Sequence, residues 1–136
     1  MEDFTMNIKS QICSSGRCKV FSNGVDERYV NEDGIKILNK GESNKYAILM
    51  DGASGLGKNN TIQENKTSAE WYVCFMLDKL EVEINKTPEE DIKSIVKRCI
   101  GKAKVVVDSF QKENHIKLEE YEIPSASLAI LKDNGN

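Results

Sequence analysis

Short stretches of alternating or apolar sequence in the first part of the chain are followed by long helical periodicities. Residues 4–12 alternate in polarity, and residues 18–21, 35–38 and 46–50 contain short apolar runs next to turn residues, a pattern typical of β-strands. The polar sequence NKGESN at 39–44 separates the last two strands, so we expect them to be antiparallel neighbours. The pattern therefore predicts an antiparallel sheet.

Two helices are predicted after these strands. The sequence TSAE at 67–70 fits a capping box, and the apolar positions after it predict a helix over 68–84. The sequence TPEE at 87–90 fits a second capping box with proline at the first helical position, and apolar positions then recur as far as Phe110. Gly101 costs this helix about 1 kcal/mol relative to alanine, which indicates a close packing contact or a bend.

The last part of the chain, residues 123–131, is predicted to be a further apolar strand. Strands, then a helix pair, then another strand favour an α+β fold with a mostly antiparallel sheet over repeated βαβ units. The strand leads into Asn134-Gly135, a strong hairpin-turn signal, so we expect residues 1–136 to be the N-terminal part of one larger domain. The unpaired edge of this C-terminal strand favours self-association.

Composition narrows the classes of protein to which the chain can belong. The 19 basic and 22 acidic residues are mixed along the chain with a net charge of −3, so no nucleic-acid partner is expected. The sequence contains neither an apolar signal segment nor a run long enough to span a bilayer, so we expect a cytoplasmic protein without a membrane partner. Free thiols are then expected, with Cys74 and Cys99 on the apolar sides of the two helices.

The candidate chemistry lies where the strand at 46–50 ends. Asp51 follows this strand directly and is followed in turn by a glycine-rich segment. Antiparallel pairing with the preceding strand brings Asp51 towards Glu32 and Asp33. Three carboxylates in a small volume repel one another and favour shared protons or bound cations. We therefore expect a site for hard metal ions here.

The same glycine-rich segment also supports an alternative interpretation. Residues 52–59 read GASGLGKN, close to the phosphate-loop pattern G-x-x-x-x-G-K-[ST], which also includes a lysine where this chain has Lys58. Asn59 stands where that pattern has the hydroxyl that coordinates magnesium, and residues 59–66 lack helical periodicity. A nucleotide-binding protein is therefore the weaker functional alternative. The same segment is also compatible with an ordinary glycine-rich turn that has no binding role.

Three short motifs follow one another in a distinctive order. Residues 28–33 read RYVNED, residues 47–52 read AILMDG, and residues 124–129, after the helix pair, read PSASLA. The first matches the R-x-x-N-[EQ]-D element of the metal-dependent serine/threonine protein phosphatases of the 2C type. The second is similar to that family's strand ending in Asp-Gly, and the third resembles its next element. The resemblance covers nearly all of this chain and about the first half of such a domain.

The resemblance implies the family's layered α-β-β-α sandwich. It implies hydrolysis of phosphoserine or phosphothreonine in a phosphoprotein partner by a water that two Mn²⁺ or Mg²⁺ ions activate. Asp51 is then expected to bridge the ions, with the Gly52 carbonyl as a further ligand. Glu32 and Asp33 are expected to act through metal-bound waters. Arg28 is expected to bind the phosphate, because its planar guanidinium can meet two phosphate oxygens.

Two departures from the family pattern limit what the chain is expected to do alone. Ala53 stands where some members have a histidine that donates a proton. The aspartates that complete the metal centre belong to the second half of the family domain, so we expect the 136-residue chain to hydrolyse phosphate esters poorly or not at all. A non-catalytic binding or regulatory module with the same fold is the other alternative.

Overall fold

The computed structural model of the chain describes residues 17–20, 27–40, 44–53, 61–63 and 66–133. Its strands are β1 (Arg17–Val20), β2 (Glu27–Val30), β3 (Asp33–Lys40), β4 (Asn44–Ala53) and β5 (Ser125–Asp133). Its α-helices are α1 (Ser68–Lys86) and α2 (Ile92–Glu113), and a short 3-10 helix, Glu120–Glu122, precedes β5. The strand predicted at 4–12 lies outside the described residues.

The strands form two antiparallel sheets. β1 pairs with β2, and a three-stranded sheet has the order β3, β4, β5. β3 and β4 form the predicted hairpin, in which Lys40 lies opposite Asn44. β5 pairs with the other edge of β4 along its whole length, from Ser125 opposite Ala53 to Asp133 opposite Lys45. The prediction of an α+β fold with an antiparallel sheet is confirmed.

Helix α1 packs directly on one face of the three-stranded sheet. A Cβ atom added at Gly34 of β3 would lie 2.5 Å from Cδ1 of Leu77 and 2.7 Å from Cγ1 of Val73, so glycine lets the helix approach the sheet closely. Because side chains alternate along a strand, the even-numbered residues of β3 and β4 face α1. The central residues of this buried interface are Ile48, Met50, Val73, Met76, Leu80 and Ile84.

The start of α1 agrees with the prediction from the sequence, and the start of α2 does not. Thr67 caps α1 as predicted, because its Oγ1 accepts a hydrogen bond from the backbone N–H of Glu70 at 3.1 Å. The capping box predicted at 87–90 is wrong. Thr87 ends α1 instead, donating its backbone N–H to the Glu83 carbonyl at 3.0 Å. The N-cap of α2 is Asp91, whose carboxylate accepts from the N–H of Ser94 at 3.2 Å.

A buried carboxylate joins the two helices. Glu83 of α1 is only 5% exposed, and it accepts hydrogen bonds from Nζ of Lys102 and, at 3.1 Å, from Nε of Arg98 on α2. The hydrogen bond from Lys102 holds the pKa of Glu83 below its usual value, although burial acts in the opposite direction. The Arg98 guanidinium also binds Glu90, with Nη1 3.1 Å from both carboxylate oxygens. This ion-pair network fixes α2 against α1.

One prediction about side-chain packing is wrong, and one of two alternatives at a helix glycine is not found. Cys74 is exposed, because the buried stripe of α1 follows Val73, Met76 and Leu77 and leaves its neighbour on the solvent side. Cys99 is buried as predicted. A Cβ atom at Gly101 would meet no atom of the described residues within 4 Å, so of the two predicted alternatives, a close contact or a bend, the close contact is absent there.

Neither α1 nor α2 combines the length and the apolar character that crossing a bilayer needs.

Candidate functional site

Asp33 and Asp51 lie directly opposite each other where β3 begins and β4 nears its end. Their neighbours Gly34 and Gly52 face α1, because an added Cβ at either position would contact Val73. The two aspartates therefore lie on the other face of the sheet, away from the helices. Both are exposed to solvent. The structure thus brings together two carboxylates that are 18 positions apart in the sequence.

The electrostatics of this pair resemble those of two acids that share a site. Partial desolvation of its carboxyl group raises the pKa of Asp33 above its usual value of 3.8, and hydrogen bonding with the Asp51 side chain and the negative charges of Asp51 and Glu32 raise it further. A carboxyl group with a raised pKa beside a second carboxylate favours a shared proton or a bound cation, because either removes the repulsion. The site therefore has a chemical preference for positive charge.

Glu32 connects this pair to the start of α1. Its backbone carbonyl accepts a hydrogen bond from the N–H of Gly52 at 3.0 Å, and its Oε1 accepts from Oγ1 of Thr67 at 2.7 Å. A Cβ atom at Gly52 would lie 2.6 Å from that carbonyl oxygen, so only glycine allows the two backbones to approach this closely. Thr67 is also the N-cap of α1. One hydroxyl group thus positions both the helix and the carboxylate.

A turn stabilised by Asn31 leads the chain into the site. Oδ1 of Asn31 accepts a hydrogen bond from the backbone N–H of Asp33 at 3.0 Å. A hydrogen bond from an asparagine side chain to the backbone two residues later mimics the hydrogen bond of a backbone turn. It sets the direction in which β3 begins. The Asn31-Glu32-Asp33 segment therefore has a structural role as well as a chemical one.

Two residues near the carboxylates were not predicted from the sequence. Ser127 of β5 lies opposite Asp51 in the same row as Asp33. Alternation along the strands would have revealed it once the register of both strand pairs was known. Thr67 was recognised only as a helix cap, because its contact with Glu32 spans 35 positions and has no local signal.

The described residues contain no group of three His, Cys, Asp or Glu side chains arranged to hold a metal ion. Asp33 and Asp51 form a close pair, whereas the carboxylate of Glu32 is bound by the Thr67 hydroxyl. The arrangement offers oxygen donors, which hard divalent cations such as Mg²⁺ and Mn²⁺ prefer. Within this part of the chain it supplies part of a cation site, which further ligands would need to complete.

The structure describes the other predicted site residues only in part or not at all. Arg28 lies in β2 with its backbone opposite Lys19, and its side chain lies outside the described part of the molecule. Lys58 and Asn59 of the alternative phosphate loop also lie outside the described residues. The strand before that loop is the centre of an antiparallel sheet, and the next helix in the described part of the chain begins at Ser68.

Carboxylate, hydroxyl and backbone oxygens thus surround the end of β4 from three parts of the chain. Asp33 and Asp51 come from a hairpin, Ser127 comes from β5, and Thr67 comes from the start of α1. Comparison of the whole chain with protein-family models, with curated proteins and with solved structures gives no match.

Proposed function

We propose that this chain carries part of the metal centre of a protein serine/threonine phosphatase of the 2C type. The pairing of Asp33 with Asp51 across β3 and β4 supports the proposal most directly. These two residues belong to the two motifs that resemble the family, the R-x-x-N-[EQ]-D element and the strand ending in Asp-Gly. Their proximity is what the resemblance requires of a common cation site.

The donor set fits hard divalent cations. Asp51 and the backbone carbonyl of Gly52 would hold Mn²⁺ or Mg²⁺ directly, and Asp33 and Glu32 would act mostly through waters bound to the ions. When bound, two such ions supply a water of lowered pKa as the nucleophile for hydrolysis of phosphoserine or phosphothreonine. Of the chain's own residues, Thr67 orients the Glu32 carboxylate through its 2.7 Å hydrogen bond. Arg28 would bind the phosphate of the phosphoprotein substrate.

The proposed fold is the layered α-β-β-α sandwich of that family. The sheet of β3, β4 and β5 and the two helices correspond to one strand layer and one helix layer. The face away from α1 carries Asp33 and Asp51 together with the exposed apolar side chains of Leu49 and Leu131, so it suits packing against a second sheet. The proposed location of such a phosphatase is the cytoplasm.

Calorimetric titration with MnCl₂ tests the proposed site. We expect the wild-type chain to bind Mn²⁺, Asp51→Asn to lose most of this affinity, and Asp108→Asn to retain it. Asp108 is a matched control, since it is an exposed aspartate on α2. A wild-type chain without Mn²⁺ affinity would contradict the proposal. Equal affinity in all three proteins would do so as well.

Hydrolysis of p-nitrophenyl phosphate tests the second expectation. Because the resemblance covers about half of the family domain, we expect little or no manganese-dependent turnover by the 136-residue chain. Robust turnover that Asp51→Asn abolishes would support the phosphatase assignment and refute the expected inactivity. Nucleotide binding that Lys58→Ala abolishes, in a chain without Mn²⁺ affinity, would favour the phosphate-loop alternative instead.

A further inference from the structure

Strand β5 brings a serine into the row of the two aspartates. Ser127 lies opposite Asp51, and Asp51 lies opposite Asp33, so the three residues form one row across β5, β4 and β3. Ser127 belongs to PSASLA at 124–129, the family-like motif that contributes no residue to the proposed cation site. Asp51 on the central strand therefore has an acid on one side and a hydroxyl group on the other.

The packing of β5 fixes the face of the sheet on which Ser127 lies. Its neighbours in the strand, Ala126 and Leu128, pack against the hydrophobic core. Because side chains alternate along a strand, the serine lies on the opposite face, together with the two aspartates. All 9 residues of β5 keep one continuous register with β4, and a slip by one residue would move the serine to the core side.

The Ser127 hydroxyl is the kind of group that an ionised Asp51 requires. A carboxylate only accepts hydrogen bonds, and it has enough lone pairs to accept one while it also binds cations. Side chains directly opposite each other in antiparallel strands have Cβ atoms about 4.5–5.5 Å apart, a distance that a serine hydroxyl can bridge to a carboxylate. Asp33 offers no donor once both acids are deprotonated, as cation binding requires. Ser127 is thus placed to donate to Asp51 in the cation-bound state.

We propose that Ser127 is a positioning residue for Asp51, whose carboxylate it holds by a hydrogen bond from Oγ in the orientation that binds the cations. This inference rests on the proposed function, because it assigns the serine a role at the same site. A ligating carboxylate that is itself hydrogen-bonded keeps its orientation, and loss of such a partner weakens metal affinity by roughly 10–100-fold. Since Ser127 is exposed, its loss should have an effect near the lower end, about tenfold.

Calorimetric titration of serine variants with MnCl₂ tests this role. We expect Ser127→Ala to bind Mn²⁺ about tenfold more weakly than wild type, and Ser127→Thr, which keeps the hydroxyl, to bind close to wild type. Ser125→Ala is the matched control, because it removes another exposed serine from the same face of β5. Ser125 lies opposite Ala53 and is therefore diagonal to Asp51, about 7–8 Å away and beyond the reach of a hydroxyl. This control should bind Mn²⁺ like the wild type.

Urea denaturation in EDTA separates positioning from folding. The two alanine variants should have nearly the same urea midpoint, since each loses one exposed hydroxyl group. A midpoint of Ser127→Ala far below that of Ser125→Ala would assign the serine to folding and overturn the inference.

The Mn²⁺ titrations also distinguish this inference from the proposed function. If the wild type binds Mn²⁺ and Ser127→Ala binds it equally well, the positioning role is overturned and the proposed cation site stands. Equal losses in Ser127→Ala and Ser125→Ala would overturn the role too, as would a threonine variant as weak as alanine. A wild type without Mn²⁺ affinity would contradict the proposed function itself, and this inference with it.

Discussion

Asp33 lies directly opposite Asp51 in the β3–β4 hairpin, and the Asp51 side chain helps to raise the pKa of Asp33. Like charges directly opposite each other destabilise a sheet, so the pair does not serve the stability of the hairpin. A cation bound between the two carboxylates would offset this repulsion. Stability and cation binding should therefore respond in opposite directions to the same substitution.

Replacing Asp51 with asparagine should stabilise the metal-free protein. The change removes one of two opposed carboxylates and keeps a side chain that can hydrogen-bond to Asp33, for a gain of up to about 1 kcal/mol in the free energy of unfolding. Urea denaturation in the presence of EDTA measures this gain. Asp108→Asn on the exposed surface of α2 should leave the free energy unchanged. A metal-free Asp51→Asn protein less stable than wild type would refute the repulsion argument.

Gly52→Ala should destabilise the protein and weaken the site. The new methyl group would lie 2.6 Å from the Glu32 carbonyl oxygen, a backbone atom that cannot rotate away. The two segments must then separate, which weakens the 3.0 Å hydrogen bond from Gly52 to Glu32 and costs about 1–3 kcal/mol. Thermal denaturation measures the loss, and the Mn²⁺ titration measures its effect on the site. An alanine variant as stable as wild type would show that the close approach is dispensable.

Thr67→Ala should lower the free energy of unfolding by about 1 kcal/mol, because α1 loses its N-cap. The same change removes the hydroxyl that donates to Glu32 at 2.7 Å. Thr67→Ser keeps an oxygen for both hydrogen bonds and should remain close to wild type in urea denaturation. If serine and alanine have equal effects, the threonine methyl group rather than its hydroxyl stabilises this junction.

Glu83→Gln should destabilise the protein at neutral pH and reduce its sensitivity to acid. Hydrogen bonding to Lys102 lowers the pKa of Glu83, so its contribution is present above the usual value of about 4.5 and is lost as the pH falls through the lowered folded pKa. Glutamine leaves Arg98 and Lys102 without their buried partner at every pH. Urea denaturation above and below pH 4.5 measures both effects. The exposed control Glu89→Gln should change neither, and an unchanged acid response in Glu83→Gln would contradict this assignment.

Gly101→Ala should stabilise the protein by up to about 1 kcal/mol, because alanine is the better helix former. The added methyl group meets no atom within 4 Å in the part of the chain that the structure describes, so we expect no steric cost to offset the gain. Thermal denaturation at neutral pH measures the shift. Gly34→Ala is the contrasting variant, since its methyl group would lie 2.5 Å from Leu77 and should destabilise. A loss of stability in Gly101→Ala would indicate that this position contacts another surface.

Local sequence patterns predicted β3, β4, the two α-helices and β5 in the right order, whereas β2 and the short 3-10 helix were not predicted. Alternation and turn residues predicted the hairpin of β3 and β4, and the cap at Thr67 predicted the start of α1. The hairpin also sufficed to bring Asp51 near Asp33, because a short connection leaves neighbouring antiparallel strands few other arrangements. These predictions succeeded because each depends on residues that are close together in the sequence.

Only the tertiary structure decided which side of each helix is buried and which groups meet over long distances. It buried Glu83 and exposed Cys74, and it moved the start of α2 to Ile92. It also placed Thr67 beside Glu32, across 35 positions of sequence. The helical repeat in a sequence locates the apolar stripe of a helix only to within about one residue. Packing against the sheet and the other helix decides which residues at the border of that stripe are buried. Contacts of this kind arise from packing between distant segments, and no local pattern encodes them.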